Sequence, residues 1–465
     1  MQLSRFVVVY EGVREDENVL YDVIEDRPMG VDDGVLALVR RLDAGEIPAD
    51  EEEEEVTRAL AAQSFLVADR AADEVRLRGY LARAAGGMLG TMYVMLMPTL
   101  ACNLACTYCF QQESPAFNRM TTDTEAASIE FILRRVDEAG TPKLLVHYMG
   151  GEVLTCKDFV LRTGEVLAAA MAARGGSFAW NITTNGLDLD RPFVQAMNRL
   201  GEGSIKVTLD GDKETHDKAR VYRNGKGSFD AIFENLTAVA GSVRLWVGGN
   251  FYPGQEASYE RLIDRLEDAG VASKLEMIRF KPVMDTASAE GTSCTSCGSD
   301  AKQEAETLLR LDRLVRSKRR SPMQSGTLDM VSGPCELHWD NNYIIDPDGL
   351  VYRCPAVAGR PEVAVGTVTN DALRGAPLLE LKPWEQHEPC HTCAYLPVCM
   401  GGCIGGQYLK TGRRDQVVCK KEWFEASFRE TIPRRYLEEL GAAPWDGDEA
   451  VVPSPPLAAT EREQA

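Results

Sequence analysis

Three cysteines, Cys102, Cys106 and Cys109, stand at C-x3-C-x2-C spacing within the stretch TLACNLACTYCFQQ. Thiolates are soft ligands that suit zinc or iron–sulfur centres. Three of them fill three corners of a four-iron cluster and leave one iron open to a substrate or cofactor, whereas a structural zinc site is closed by a fourth residue. A zinc loop, or three incidental core cysteines, is the plainer alternative. A second concentration lies toward the C-terminus: Cys335, then Gly349 and Cys354, then Cys390, Cys393, Cys399 and Cys403 as C-x2-C-x5-C-x3-C, then Cys419. This ordered set points to a metal-organised region, with a pair of zinc ribbons as the alternative reading. Cys294 and Cys297 form a further C-x2-C pair in a polar loop, suited to cluster ligation, to a redox pair or to plain surface exposure. Cys156, near a predicted helix start, reads as a packed small hydrophobe.

The chain that must position these thiols has 465 residues and 44% hydrophobic content, enough for two or three cores. Its formal charge of -20 argues against a non-specific nucleic-acid binder, which needs a basic footprint. No run approaches a membrane span, and the N-terminus lacks the features of a secretory signal, so the expected location is the cytoplasm, with no membrane partner. There the reducing environment favours metal or redox chemistry over disulfides. The acidic run Asp50 to Glu55 reads as a solvated helix face.

Residues 1–88 read as a small unit with strands in FVVVYEG and NVLYDVIED and helices in GVLALVRRL and VTRALAAQSFLV. Over 89–318 strand runs alternate with amphipathic helices: YVMLMPTL, KLLVHYMG, FAWNITTN, IKVTLDG, VRLWVGGNF and LEMIRFKPV. Six β-α units imply an α/β fold with a parallel sheet, open or curled into a partial barrel, and chemistry collects at the carboxyl ends of its strands. The three-cysteine loop follows the first of these strands. Residues 319–438 lose the alternation as cysteines become dense, and 439–465 read as a disordered tail.

The loop C-x3-C-x2-C after the first strand, with Tyr108 before the last cysteine, resembles the radical S-adenosylmethionine superfamily, and the resemblance implies a partial (β/α)6 barrel. By it, Cys102, Cys106 and Cys109 hold a [4Fe-4S] cluster whose open iron chelates S-adenosyl-L-methionine, with Tyr108 beside the adenine. Gly150, Gly151 and Glu152 match the family's Gly-Gly-Glu after the second strand, although Val153 follows where proline is commoner; glycines permit close backbone approach and the carboxylate can accept from the cofactor's ammonium. Thr184, Asn185 and Gly186 end the third strand. In VTLDGDKETHDKARVYRNGKGSFD the resemblance places Thr208 and Asp210 near the ribose and Arg220 near the cofactor carboxylate.

The C-terminal cysteines resemble the SPASM extension of these enzymes, which carries one or two auxiliary iron–sulfur clusters. The likeness implies one cluster on Cys390, Cys393, Cys399 and Cys419, and a second on Cys335, Cys354 and Cys403 whose fourth ligand the pattern does not supply. Residues 1–88 are similar to the winged-helix recognition domain of peptide-modifying enzymes, in which a leader peptide adds as a strand to a sheet edge. Together the three parts imply a maturase of ribosomally made peptides, with a precursor peptide (leader plus core) and an electron donor such as flavodoxin or ferredoxin as partners. The expected product is a thioether or carbon–carbon crosslink; peptide epimerisation and sulfatase-type formylglycine formation are the alternatives. Against the sulfatase type, Pro355 follows Cys354 where its best-known members carry an aspartate base. An iron–sulfur electron carrier and a zinc-binding interaction protein are the non-enzymatic alternatives.

Overall fold

The computed structural model describes residues 1–87, 90–113, 119–283, 301–318, 324–325, 334–370 and 372–441. The Cys294/Cys297 pair, and the tail expectation from residue 442 onward, lie outside the described residues.

The N-terminal unit opens with an antiparallel sheet of β1 (Val7–Arg14), β2 (Glu17–Asp22) and β3 (Arg27–Val31), with β2 in the middle. Helices α1 (Asp33–Asp43), α2 (Glu51–Ala62) and α3 (Arg70–Ala85) follow. Period-two burial gives the sheet two apolar faces. Val7, Val9, Leu20 and Val31 pack on α1 and α2, while Val8, Tyr10, Val19 and Tyr21 pack on residues of the C-terminal region such as Tyr395, Phe424 and Phe428. The acidic run sits at the start of α2, where the Asp50 side chain caps the helix by accepting from the Glu53 N–H at 2.9 Å. Carboxylates there face the positive end of the helix dipole.

All six expected strands of the central region are present: β4 (Thr91–Leu96), β5 (Lys143–Tyr148), β6 (Ser177–Thr184), β7 (Glu202–Thr208), β8 (Arg244–Phe251) and β9 (Met277–Pro282). They pair in parallel and in chain order. This is the sheet of a partial barrel. Its outer face is a continuous apolar layer, including Val94, Val146, Trp180, Val207, Val247 and Phe280, covered by the crossover helices α4 (Thr122–Ala139), α5 (Lys157–Ala173), α6 (Arg191–Asn198), α7 (Lys213–Ala219), α8 (Phe229–Val239), α9 (Glu256–Asp268) and α10 (Ala301–Lys318). The helices begin where side chains can replace the missing intrahelical acceptors: Thr121, Asp190 and Asp212 each cap one.

The inner face is polar. Tyr93, His147 and Thr183 form a chain across β4, β5 and β6, His147 Nδ1 lying 2.7 Å from the Tyr93 hydroxyl and Nε2 2.8 Å from Thr183. Burial holds His147 down to about 4, so the imidazole is neutral and supplies one donor and one acceptor to that chain.

Beyond the barrel, β10 (Asn342–Ile345) adds in parallel to β4 and turns back through Gly349, at φ 77, into β11 (Leu350–Tyr352). The cysteine-rich region is therefore an outgrowth of the barrel sheet, with Cys335 ahead of the hairpin and Cys354 behind it. Helices α11 (Ile404–Thr411) and α12 (Lys421–Glu439) close the region, and α12 packs on α10. Among the described residues no helix is long and apolar enough to cross a membrane.

The α10–α12 contact contains a buried ion pair: Asp312 is fully enclosed and lies 3.2 Å from Arg434, itself 8% exposed. Removing the acid leaves a guanidinium in a desolvated contact with only the longer Glu430 and Glu438 approaches. Asp312→Ala is expected to cost about 3 kcal/mol of stability, seen as a lower urea midpoint, with Asp312→Asn losing less because it keeps an acceptor.

Candidate functional site

The loop after β4 is held flat by backbone contacts. Gly151 donates to the Thr99 carbonyl at 3.0 Å and Glu152 to the Ala101 carbonyl at 2.9 Å, so the end of β5 is stitched to the start of the cysteine loop. A Cβ on Gly150 would stand 2.3 Å from the Thr99 oxygen, and one on Gly151 would stand 2.2 Å from the Ala101 oxygen. The close approach these glycines permit is thus to the cysteine loop itself. On its other side the loop pairs with the segment after α7: Ala105 and Thr107 donate to the carbonyls of Val221 and Ala219 at 2.8 and 2.9 Å.

Within this clamp the thiols of Cys102, Cys106 and Cys109 lie close enough to disfavour one another's charge. Burial pushes the Cys106 thiol up to about 12 and also raises Cys102. A metal that displaces those protons gains ligands already gathered in one place. No three His, Cys, Asp or Glu side chains among the described residues converge tightly enough for a single metal ion. A four-iron cluster makes a different demand, since each thiolate binds its own iron.

Glu152 is buried, and both of its oxygens are in use. Oε1 accepts from the Thr184 hydroxyl at 2.6 Å and the Leu154 N–H at 2.9 Å, and Oε2 accepts from the Asn185 N–H at 2.7 Å. Burial raises its pKa against the pull of these bonds. Asn185 in turn donates to Asn103 at 2.7 Å, returning the network to the cysteine loop. The carboxylate therefore fixes the frame, and its two oxygens are already committed to the chain. Gly186 has φ 88, and a Cβ there would meet Val207 at 2.9 Å.

A second network gathers on the Tyr108 hydroxyl. It donates to Asp210 and accepts from Arg220 Nη1 at 2.7 Å and from Asn250 Nδ2 at 3.1 Å. Asp210 also accepts from the Asn250 backbone at 2.7 Å. Arg220 keeps a buried Nε–H with no hydrogen-bond partner among the described residues. A buried, unsatisfied donor on a guanidinium marks where a ligand anion would complete the site. His216 pins this corner: Nδ1 accepts from the Asp210 N–H at 3.2 Å and Nε2 lies 3.0 Å from Ser228, whose hydroxyl donates to the Arg220 carbonyl at 2.7 Å. Burial, then the Arg220 charge, lowers His216 to about 3, so it stays neutral. Thr208 ends β7 beside Asp210, and its side chain makes no hydrogen bond among the described residues.

The C-terminal cysteines fall into two groups. Cys390, Cys393, Cys399 and Cys419 disfavour one another's charge, with burial as the larger cause, pushing Cys390 up to about 12 and Cys399 to about 11. Cys335, Cys354 and Cys403 form the second group. Cys354 Sγ lies over the α11 backbone, 2.7 Å from where a Cβ on Gly405 would stand. Cys403 Sγ accepts from the Gly406 N–H at 3.3 Å. Cys335 keeps an exposed surface, and the protein packed around it pushes its thiol up to about 12. Cys156 packs at the edge of the barrel core. The sequence reading missed Asn250 as a site residue; its position at the carboxyl end of a strand was the available signal.

The sequence profile of the Radical SAM superfamily matches residues 96–266, which span the cysteine loop and every strand end described here. Residues 96–266 are thus a radical SAM domain. A cysteine-type anaerobic sulfatase-maturating enzyme of Clostridium novyi (strain NT) is 24% identical over 361 residues, covering 72% of this chain and 93% of that protein. The PqqA peptide cyclase of Gluconobacter oxydans (strain 621H) is 23% identical over 325 residues, covering 66% and 83%. Among solved structures, anSMEcpe with bound AdoMet superposes with a TM-score of 0.57 at 16% identity, over 75% of this chain and 99% of that one. Streptococcus suis SuiB bound to the precursor peptide SuiA gives 0.52 at 13% identity, over 90% and 98%. At these identities the superpositions speak for the fold alone. The cofactors of a radical SAM domain are a [4Fe-4S] cluster and S-adenosylmethionine.

The contact between Gly151 and two backbone carbonyls leaves no side chain to yield. In the protein reconstituted with iron and sulfide, Gly151→Ala is expected to lower iron retained per chain by displacing the cysteine loop, with far-UV circular dichroism preserved. Gly175→Ala, where nothing lies within 4 Å of the added carbon, should leave iron content at the wild-type level.

Proposed function

We propose that the protein matures a ribosomally made peptide, using a radical to install a thioether or carbon–carbon crosslink. The observation that carries this reading is the juxtaposition of three gathered thiols with the unsatisfied Arg220 Nε–H at the carboxyl end of the barrel, where the segment holding Arg220 pairs with the cysteine loop. Cys102, Cys106 and Cys109 would hold the cluster, and Arg220 would take the cofactor carboxylate. Tyr108, Thr208 and Asp210 would face its nucleoside, while Gly150, Gly151, Glu152, Thr184, Asn185 and Gly186 fix the wall on which it rests. Once bound, cluster and cofactor supply a 5′-deoxyadenosyl radical. The chain's own share is to orient the peptide, exclude water and hold each group in place.

Auxiliary clusters on Cys390, Cys393, Cys399 and Cys419, and on Cys335, Cys354 and Cys403, would accept the surplus electron. Leader recognition falls to residues 1–88, where β3 is an edge strand able to pair with an added chain. A precursor of leader plus core, and a flavodoxin or ferredoxin as reductant, complete the partners. A sulfatase-type maturase is the second reading, favoured by the relative from Clostridium novyi, while Pro355 occupies the position of the expected base.

Anaerobic reconstitution with iron and sulfide should give a brown protein that forms 5′-deoxyadenosine from S-adenosylmethionine. Cys106→Ala should abolish that product while the C-terminal clusters remain. A protein that stayed colourless would instead be a zinc-binding protein, and a coloured one without cleavage an electron carrier. Co-expression with a candidate precursor peptide should remove two hydrogens from the peptide's mass, whereas an unchanged mass with altered stereochemistry would mean epimerisation. Arg220→Gln, by removing a charged hydrogen bond, should raise KM for S-adenosylmethionine by roughly 10–100-fold.

A further inference from the structure

One of the two C-terminal cysteine groups is built into the footing of the N-terminal unit. Cys390, Cys393 and Cys399 each pack on a core that the unit shares with the cysteine-rich region. Five residues separate Cys393 from Cys399, and three of them, Ala394, Tyr395 and Val398, lie in one core with Val8, Tyr10, Val19 and Tyr21 of β1 and β2. A fourth, Leu396, belongs to a second core with Phe6, Leu77 and Tyr80. Beyond Cys419, α12 supplies Phe428, whose ring meets Tyr21 edge-on at 5.7 Å and Tyr395 at 5.5 Å. Between Cys390 and Cys393 the His391 carbonyl accepts from Arg5 Nη1, and the same guanidinium holds Glu74 of α3 at 2.6 Å.

This footing has little regular structure of its own. Over 388–403 the chain forms two helices of four residues, Glu388–His391 and Leu396–Cys399, and no strand. Helices that short have no stability in isolation. The shape of the segment is therefore set by tertiary contacts and by whatever ties its thiols together, and the binding energy of a thiolate-held centre is folding energy for the chain that supplies the ligands. The N-terminal unit, by contrast, keeps a core of its own, in which Val7, Val9 and Leu20 pack with Leu38 and Val39 of α1. Loosening the footing thus frees one face of the sheet without dismantling the other. Cys419 is the exposed member of the group and belongs to neither shared core.

We propose that a cluster on Cys390, Cys393, Cys399 and Cys419 seats the N-terminal sheet on the body of the protein, and so makes capture of a precursor peptide depend on that cluster being assembled. This rests on the leader-recognition reading of residues 1–88. Strand β3, the edge able to accept an added strand, belongs to the seated sheet, so its position follows the seat. The coupling is reciprocal: whatever free energy the cluster contributes to the seat, the seat returns to the cluster. A chain that has lost this cluster, through iron shortage or oxidation at its exposed edge, holds peptide weakly.

Three measurements on the full chain, reconstituted with iron and sulfide, test this. Cys419→Ala removes one thiol without taking an atom from either shared core. Amide hydrogen exchange in β1 and β2 should quicken about tenfold in that variant while barrel strands β5 to β8 keep their rates, and Cys106→Ala, which loses a different cluster, should leave β1 and β2 at the wild-type rate. Unchanged exchange in Cys419→Ala, or equal acceleration in both variants, would overturn the proposal. Arg5→Met approaches from the other side, with the C-terminal cysteines intact. In a background of Cys102→Ala, Cys106→Ala and Cys109→Ala, so that only C-terminal iron is counted, it should speed iron loss to a chelator about threefold. An unaltered rate would reject the reciprocal coupling and the proposal with it. Lastly, a fluorescently labelled candidate precursor should bind Cys419→Ala about tenfold more weakly than wild type. Equal affinity alongside accelerated exchange would reject control over capture. If exchange and iron loss respond but the wild-type protein binds no candidate precursor, the seat stands and the leader-recognition reading fails.

Discussion

Everything at the carboxyl end of the barrel depends on one backbone contact, the packing of Gly150 and Gly151 against the carbonyls of Thr99, Leu100 and Ala101. With no Cβ between them, the two segments hydrogen-bond directly, and the cysteine loop inherits the rigidity of the sheet. Glu152 carries the constraint to β6 through Thr184 and Asn185, and Asn185 returns it to the loop through Asn103. The far side of the loop is fixed to residues 219–221, whose neighbours His216 and Ser228 hold Arg220. Three thiols and a guanidinium are thus placed on a closed circuit of hydrogen bonds, the kind of support a site needs when its geometry must be set before the ligand arrives.

The barrel strands were legible as short apolar runs, and the helices that cover them announce themselves by period and caps. Glycines and polar residues at the strand ends were legible as a set, since turn and strand-end positions are where chemistry can project. What the set does was less legible. Glu152 reads as a partner for a cofactor ammonium, yet its oxygens are taken up by the chain. The two glycines read as space for a ligand, yet the space is filled by the neighbouring loop. A motif marks where the chain must pass closely; which groups meet there is decided by contacts between segments fifty residues apart.

Features fixed by pairing register were beyond reach. Lys206 and Gly248 look unremarkable in separate strands, and only the parallel register of β7 with β8 lays one across the other. Asn250 meets Tyr108 over a separation of 142 residues. Strand β10 joins β4 from the far end of the chain, so the cysteine-rich region could be recognised by spacing but not as an extension of the barrel sheet. The third N-terminal strand, RPMGV, holds Pro28 and Gly30, residues that weaken any strand signal and that an edge position tolerates.

The charge pattern gives the arrangement a physical logic. The protein is strongly acidic overall, with a formal charge of -20, but it concentrates positive charge inside the barrel. Long-range repulsion from an acidic surface falls off within about 10 Å in salt. The lumen, poorly screened and low in dielectric, therefore sets the local preference by itself. The Gly248 gap costs the sheet a side chain and lets Lys206 of β7 lie across β8.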